Sequence, residues 1–296
     1  DISLALNKNS SPYEFFKLAS NYGHLRVSYI HGFLESNQDN INRYLISRGI
    51  EWSNKKSLVL GFSETIIYSG KDRSIDFAYF NPISSHLEVE LNNRLNTPGD
   101  WNSNAVWQIH LDWLIRQRMR LSMNYLADEF VLDPDTEIGK EHGTAFSSRL
   151  SFLLSSNEKY HINLVINSIY VGTPTLRHGV GTNNFVQNGI PLGFSSGSDL
   201  KERSIGVNYS RMNNLIFNIT YGVIHSGQQS LLNNPYEPYL DYLGKKFPSG
   251  VVNKKIYVTK QLIWNFRNNI FLNIKNILNI ANLGGNQYII EIGIKE

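Results

Sequence analysis

The chain lacks cysteine altogether and contains no apolar run of about 18 residues, the length that a membrane-spanning helix needs. The first absence excludes disulfides, zinc–thiolate sites and a cysteine nucleophile. The second absence excludes a transmembrane helix. Charge is nearly balanced, because 28 basic and 25 acidic residues leave a net charge of +3. This charge is too small and too dispersed to indicate a nucleic-acid partner.

The most regular feature of the sequence is a strict alternation of apolar and polar residues. Apolar and polar residues alternate along the segment 104–116, where Trp107 and Trp113 are among the apolar positions. They also alternate along the segment 118–128. A period of two predicts β-strands with one apolar face. Many such segments reach about nine to eleven residues, the length of a tilted membrane strand, whereas strands of soluble proteins average about five or six.

Twelve segments alternate in this way, and the links between them are in turn short turns and long polar loops. The predicted strands lie near residues 24–34, 43–52, 57–68, 104–116, 118–130, 144–155, 159–171, 203–211, 214–225, 252–263, 269–278 and 287–295. This rhythm predicts an all-β fold: an antiparallel up-and-down transmembrane β-barrel of the outer-membrane type, forming a single domain over residues 1–296. The mean hydropathy of −0.28 agrees, since only every second strand residue has to meet lipid. A soluble β-sandwich or barrel is the alternative.

The segment 69–103 is a long excursion between two predicted strands. The Asn81–Pro82 step interrupts the chain there, and leucines at a spacing of four predict a short helix over residues 85–95. Counting the whole segment as one connection preserves the alternation of turns and loops. We therefore expect it to fold into or over the lumen of the barrel.

Glu64 sits in the middle of a predicted strand, on the same face as Leu60, Phe62 and Ile66. A carboxylate that faces lipid is costly. We therefore expect this face to point into the lumen, where Glu64 would pair with an arginine. The candidate partners are Arg73, Arg118 and Arg120.

Three stretches resemble the capsule-assembly outer-membrane barrel (Wzi) family. The stretch LVLGFSETIIYSGKDRSIDFAYFNPI is similar to a family strand followed by a basic patch and a Tyr-x-Asn-Pro step. The stretches MNYLADEF and GIPLGFSSGSDL are similar to its acidic strand end and its Pro-Leu-Gly…Gly-x-Asp segment. The matching positions that we assign to lumen or motif structure are Glu64, Tyr68, Arg73, Asn81, Pro82, Asp128 and Asp199.

This resemblance implies a protein of the bacterial outer membrane that binds surface polysaccharide and helps to organise a capsule. It implies a lectin-like role with capsular or other surface polysaccharide and outer-membrane lipid as partners, without catalysis or export through an open pore. Members of the family are longer and begin with a helical periplasmic part and further strands. We therefore expect this sequence to be either an N-terminally truncated piece or a trimmed member of the family.

The long loops offer the side chains that carbohydrate binding needs. Sugars present C–H surfaces to aromatic rings and hydroxyls to polar groups, and cations add charge-assisted bonds to uronate carboxylates. The candidate ligand-binding residues are Trp101, Arg177, His178, Asn183, Tyr236 and Tyr239. An alternative role for the tyrosines is an interfacial girdle or loop packing.

Catalytic patterns are weak in this sequence, so we expect no enzyme, no cofactor and no metal site. His110 and Asp112 share a strand face, which suits metal binding or acid–base chemistry, but two polar lumen residues near Arg116 and Arg120 fit better. No G-x-S-x-G nucleophile elbow is present. A diffusion porin is the alternative function, and it would need an open lumen ringed by charge.

Overall fold

Thirteen antiparallel strands form one continuous sheet in the computed structural model, which describes residues 4–7, 10–36, 40–81, 85–86, 103–128, 142–211, 214–239, 246–266, 270–280 and 287–294. In chain order the strands are β1 (Glu14–Tyr22), β2 (Leu25–Phe33), β3 (Ile41–Ser53), β4 (Leu58–Lys71), β5 (Ser103–Arg116), β6 (Met119–Ala127), β7 (Thr144–Ser156), β8 (Tyr160–Val171), β9 (Val186–Gln187), β10 (Ile190–Pro191), β11 (Leu200–Arg211), β12 (Leu215–Ser226), β13 (Asn253–Phe266), β14 (Ile270–Asn279) and β15 (Gln287–Ile294). Strands β9 and β10 form a separate small hairpin.

The order of strands in the sheet follows the chain, and β8 pairs with β11 across the hairpin. This order confirms the predicted antiparallel transmembrane β-barrel fold, and all twelve predicted strands are present. The prediction missed β1, because the adjacent Phe15 and Phe16 break the alternation. Within the described strands no pairing joins β1 to β15, the two edges of the sheet. None of the described helices is long and apolar enough to cross a membrane.

The two faces of the sheet differ sharply in chemistry. One face, hereafter the apolar face, exposes large hydrophobic side chains on strand after strand, such as Phe62, Ile109, Tyr125, Ile166 and Tyr221. The opposite face, hereafter the polar face, carries mainly serine, threonine, asparagine, glutamine and charged residues. An apolar surface of this extent marks contact with lipid, and alternation of apolar and polar positions along each strand is the pattern of a membrane barrel.

A plug covers the polar face at the end where the long loops lie. It consists of residues 4–7 and 172–199, and it includes the 3₁₀ turn Gly181–Asn183 and the β9–β10 hairpin. Leu4, Leu176, Phe185 and Leu192 of the plug are fully buried against apolar strand residues, including Leu45, Ile67, Val106 and Leu126. The plug therefore explains why the polar face becomes apolar at this one end.

Residues 72–81 and 85–86, hereafter the strap, lie on the apolar face and not in the lumen. Within the strap the 3₁₀ turn Phe77–Phe80 begins after Asp76, whose carboxylate accepts a hydrogen bond from the Ala78 amide. Tyr79 stacks on Tyr68 with ring centroids 4.8 Å apart, and Tyr68 stacks on Tyr44 at 4.9 Å. The expectation that this excursion enters or covers the lumen is wrong for the described residues, because the flat tyrosine surface of β3 and β4 holds it outside. The helix predicted over residues 85–95 lies outside the described residues, apart from residues 85–86.

Glu64 lies on the apolar face, buried under the strap. The Arg48 Nε donates a hydrogen bond of 2.6 Å to Glu64 Oε2, and both side chains are less than a tenth exposed. The Trp107 indole and the His86 amide donate to Glu64 Oε1 at 2.8 and 2.9 Å. The predicted lumen orientation and the predicted partners Arg73, Arg118 and Arg120 are therefore wrong. The outer face tolerates this carboxylate because it is paired with Arg48, fully hydrogen-bonded and shielded from lipid by the strap.

Candidate functional site

The long loops that follow β8 and β12 are joined through Asp199. Its backbone has a left-handed conformation with φ of +57°, and its side chain is fully buried. The carboxylate accepts hydrogen bonds from Thr173 Oγ1 at 3.0 Å, from the Gln229 amide at 3.1 Å and from the Ser249 amide at 2.9 Å. The Ser249 hydroxyl donates a fourth bond at 2.5 Å. Asp199 thus fastens residues 227–239 and 246–252 onto the plug, and these residues together with the plug loop 172–199 are hereafter called the loop crown.

Arg177, His178 and Tyr239, three of the predicted ligand-binding residues, meet inside the loop crown. The Arg177 guanidinium lies 4.7 Å from the centre of the Tyr239 ring and donates to the Gln229 and Glu237 carbonyls at 2.9 and 3.3 Å. The Tyr239 amide donates to the His178 carbonyl at 2.9 Å. Arg177 and Tyr239 are both buried, and their contacts hold the loops together. Their predicted contact with a ligand stays a prediction.

Asn183 is also buried within the plug. Its side-chain oxygen accepts a hydrogen bond of 2.7 Å from Ser69 on β4, and its carbonyl accepts one of 3.3 Å from Asn104 on β5. Its side-chain NH₂ has no hydrogen-bond partner among the described residues. Asn183 therefore ties the plug to the barrel wall, and its predicted ligand contact also stays a prediction.

Tyr236 is the most exposed aromatic residue among the described ligand candidates, at 36%. Its hydroxyl donates a hydrogen bond to Glu35 and accepts one of 2.8 Å from the Gly189 amide. Burial and the hydrogen bond to the Glu35 carboxylate raise the pKa of Tyr236 to about 12. The tyrosine is therefore neutral at physiological pH and presents part of its ring at the outer edge of the loop crown.

Arg43 on β3 was not predicted, yet it anchors the plug. The residue is 2% exposed, and its guanidinium donates hydrogen bonds to the carbonyls of Thr182, Asn184 and Val186 at 2.6, 3.0 and 3.1 Å. It also pairs with Glu35 at 2.7 Å. Planar guanidinium groups suit several carbonyl acceptors at once. An arginine inside an alternating strand gives no sequence signal for this role.

The remaining predicted motif residues support local structure around the plug and the strap. The Asp128 carboxylate accepts a hydrogen bond from the Leu176 amide of the plug. The Arg73 guanidinium lies 4.7 Å from the centre of the Tyr68 ring, and the Asn81 carbonyl accepts a hydrogen bond of 2.8 Å from Arg48. Trp101 and Pro82 lie outside the described residues.

His110 and Asp112 have separate partners. His110 Nε2 lies 3.3 Å from Glu51 Oε2, whereas Asp112 makes two hydrogen bonds of 2.7 Å with Arg120. Their geometry agrees with two polar residues in the lumen. Within the described ranges no three histidine or acidic side chains cluster as a metal site would require.

A polar cleft of about 310 Å³ opens between the plug, the second crown loop and the inner wall of β12 and β13. Its volume lies at the lower end of the range of about 300–1,000 Å³ that ligand pockets occupy. Most of its lining side chains carry hydroxyl, amide or ammonium groups: Ser196, Ser226, Gln228, Ser230, Asn233, Asn253 and Lys255. Leu232 and Val251 add two exposed apolar surfaces.

The chemistry of this cleft suits a ligand rich in hydroxyl groups. Serine hydroxyls and carboxamides both donate and accept hydrogen bonds, and Lys255 supplies one cation that can bind a carboxylate. In the row of residues that contains Lys255, Glu202 lies two strands away, across Ile224. Its carboxylate also accepts a hydrogen bond from the Tyr257 hydroxyl. The predicted ligand-binding residues do not include this cleft, because its lining is mostly serine, asparagine and glutamine and those candidates are mainly aromatic and charged side chains. The run SGQQSLLNN at residues 226–234 was the available signal.

The fold and the loop crown define the chain as a transmembrane β-barrel protein of the outer-membrane type. Among solved structures the chain is similar to Wzi, an outer-membrane protein involved in group 1 capsule assembly in Escherichia coli and described as a carbohydrate-binding β-barrel. The TM-score is 0.68 at 11% sequence identity, covering 99% of this chain and 62% of that chain. This chain thus spans less than two thirds of the length of the Wzi chain, and the similarity shows a shared fold.

Two further outer-membrane structures align less well. One is BamA from Haemophilus ducreyi lacking POTRA domains 1–3, with a TM-score of 0.45, 12% identity, and coverage of 95% of this chain and 61% of that chain. The other is OccD1 (OprD), with a TM-score of 0.47, 10% identity, and coverage of 94% and 67%. No protein-family model matches the sequence, and no curated protein matches it.

Proposed function

We propose that this protein is a non-enzymatic protein of the bacterial outer membrane that binds surface polysaccharide and supports capsule assembly or attachment. The observation that carries the proposal is the cleft in the loop crown, lined by hydroxyl and carboxamide groups around Lys255. The fold shared with Wzi, described as a carbohydrate-binding β-barrel, supports the same function. So does the sequence resemblance to the capsule-assembly family.

In this proposal the polymer enters the cleft from the side of the long loops. In outer-membrane barrels the longer loops face the cell exterior, where a surface polysaccharide lies. Asn233 and Gln228 would bind sugar hydroxyls, and Lys255 would bind a uronate carboxylate. The partly exposed Tyr236 ring offers a second contact at the rim of the crown.

The proposal is tested by calorimetric titration of the purified full chain in detergent with surface polysaccharide isolated from the cells that produce it. We expect saturable binding, weakened about tenfold or more in Lys255→Gln, because a hydrogen bond to a charged group contributes about 1.5–3 kcal/mol. The matched control is Lys260→Gln, which removes the same charge five residues away on the opposite face of β13. Absence of saturable binding, or equal weakening in both variants, would contradict the proposal.

A diffusion porin is the second candidate, since the polar face of the sheet could line an aqueous route. The plug occupies the long-loop end of that face, and Arg43 and Asn183 hold it there. Conductance measured in a planar bilayer separates the two functions. Steady conductance by the wild-type protein would favour the porin.

A further inference from the structure

Four basic side chains cluster on the apolar face of β11, β12 and β13, at the end nearest the loop crown. Lys201 lies directly across from His225, and His225 lies directly across from Lys254. Arg203 lies one row below them on the same face. Lys201, Arg203 and Lys254 are exposed. The cluster is distinct from the polar cleft, which opens on the other face of the same strands.

The cluster sits where the apolar band of the sheet begins. Tyr170 occupies the same row beside Lys201, with its ring 4.7 Å from that of Phe247. Two rows towards the short turns the cross-strand positions are Ile166, Ile205, Tyr221 and Val258. Such a boundary between basic and apolar rows corresponds to the headgroup level of the leaflet on the long-loop side.

Within the described strands around this cluster, no carboxylate lies on the apolar face. The described strands β7, β8 and β11 to β14 carry one acidic residue, Glu202, and it points to the polar face. His225 separates the two lysines, which lie two strands apart in the same row. Because neighbouring strands lie about 4.8 Å apart, the backbones at Lys201 and Lys254 are roughly 10 Å apart. The arrangement therefore fits two anionic groups at a similar separation.

We propose that this surface binds a membrane lipid whose headgroup carries two phosphate groups. Lys201 and Lys254 contact one phosphate each, and Arg203 reaches the nearer of the two from below. The acyl chains lie along the apolar rows of Ile205 and Tyr221. Charge complementarity and the position at the headgroup level both favour a lipid over a soluble anion.

The test uses native mass spectrometry of the detergent-solubilised full chain with diphosphoryl lipid A, monophosphoryl lipid A and phosphatidylethanolamine as probes. We expect the diphosphoryl form to bind best. The Lys201→Gln/Lys254→Gln variant is expected to bind it roughly thirtyfold more weakly, since each basic group near an anionic surface contributes about fivefold. The same variant loses the preference for two phosphates over one.

Two further variants complete the design. Lys201→Arg/Lys254→Arg keeps the charges and is expected to bind like the wild type. Lys159→Gln/Arg211→Gln removes two charges at the short-turn end of the sheet, in the turn before β8 and at the end of β11, and is expected to leave binding unchanged. Heat-modifiable gel mobility checks that every variant is folded. Equal binding of the two lipid A forms by the wild type, wild-type affinity in the Gln pair, or an equal loss in the short-turn pair would overturn the proposal.

Discussion

Gly227 lies so close to Asp199 that a Cβ atom on the glycine would sit 2.1 Å from the carboxylate oxygen Oδ2. The absence of a side chain at residue 227 is therefore what allows Asp199 to collect its hydrogen bonds from Ser249 and Gln229. The two residues act as one unit in closing the loop crown.

Gly227→Ala is expected to displace the Asp199 carboxylate and loosen the loop crown. Loss of hydrogen bonds to this charged group would destabilise the crown by about 2 kcal/mol or more. Limited proteolysis should cleave residues 227–239 and 246–252 faster in the variant while the strands stay protected. Ser195→Ala, an exposed change in the plug, is the control and should leave the cleavage rate unchanged. A wild-type cleavage pattern in Gly227→Ala would contradict the prediction.

Glu64→Gln is expected to destabilise the protein by about 3–5 kcal/mol, because it leaves Arg48 buried without its counter-charge. Unfolding in urea, followed by tryptophan fluorescence, measures the change. The double variant Arg48→Met/Glu64→Leu removes both charges and should recover part of the lost stability, because the Trp107 indole and the His86 amide still lose their acceptor. Unfolding of Glu64→Gln at the wild-type urea concentration would refute the buried pair.

Lys260 is an exposed lysine in the middle of β13 on the apolar face, across from Ile219 and Asn276. Basic side chains on the lipid face of a barrel cost about 2–4 kcal/mol at the bilayer midplane. Lys260→Leu should therefore stabilise the barrel in lipid vesicles by up to that amount. Lys275→Leu, a change on the polar face of β14, should give no such gain. If the two variants have the same free energy of unfolding in lipid vesicles, the assignment of the two faces is wrong.

Tyr236→Phe is expected to change the alkaline stability profile. The pKa of Tyr236 in the folded protein is about 12, above its ordinary value, so folding favours the neutral phenol. Its stabilising contribution is complete below about pH 10 and is lost as the pH rises through 12. The wild type should therefore lose more stability than Tyr236→Phe between these values. Parallel profiles for the two proteins, measured by unfolding at stepped pH, would contradict this.

The strands were predictable because the alternation of apolar and polar residues is a local pattern, visible in a short stretch of sequence. The environment of Glu64 was not predictable in this way. Its cover comes from the strap, and the amide of His86 reaches it from 22 positions away. Alternation tells which residues share a face, but it does not tell which other segment will lie on that face.

The candidate site was predicted only in part for a similar reason. Arg177, His178 and Tyr239 do come together in the loop crown, but most of their polar groups are used by the crown itself. The cleft around Lys255 depends on serine, asparagine and glutamine side chains, which are common in all polar loops. Only the packing of the two crown loops distinguishes those side chains from their neighbours.

The close packing of the plug places a constraint on the order of assembly. The Asn7 amide donates a hydrogen bond of 2.6 Å to the Leu192 carbonyl, and a Cβ on Gly193 would sit 2.0 Å from the Leu4 carbonyl oxygen. Residues 4–7 can therefore dock only once the segment around residues 192–193 has reached its place on the inner side of the sheet. Until the plug docks, Leu45 and Ile67 lack their apolar cover, and apolar surface that is exposed during folding promotes aggregation.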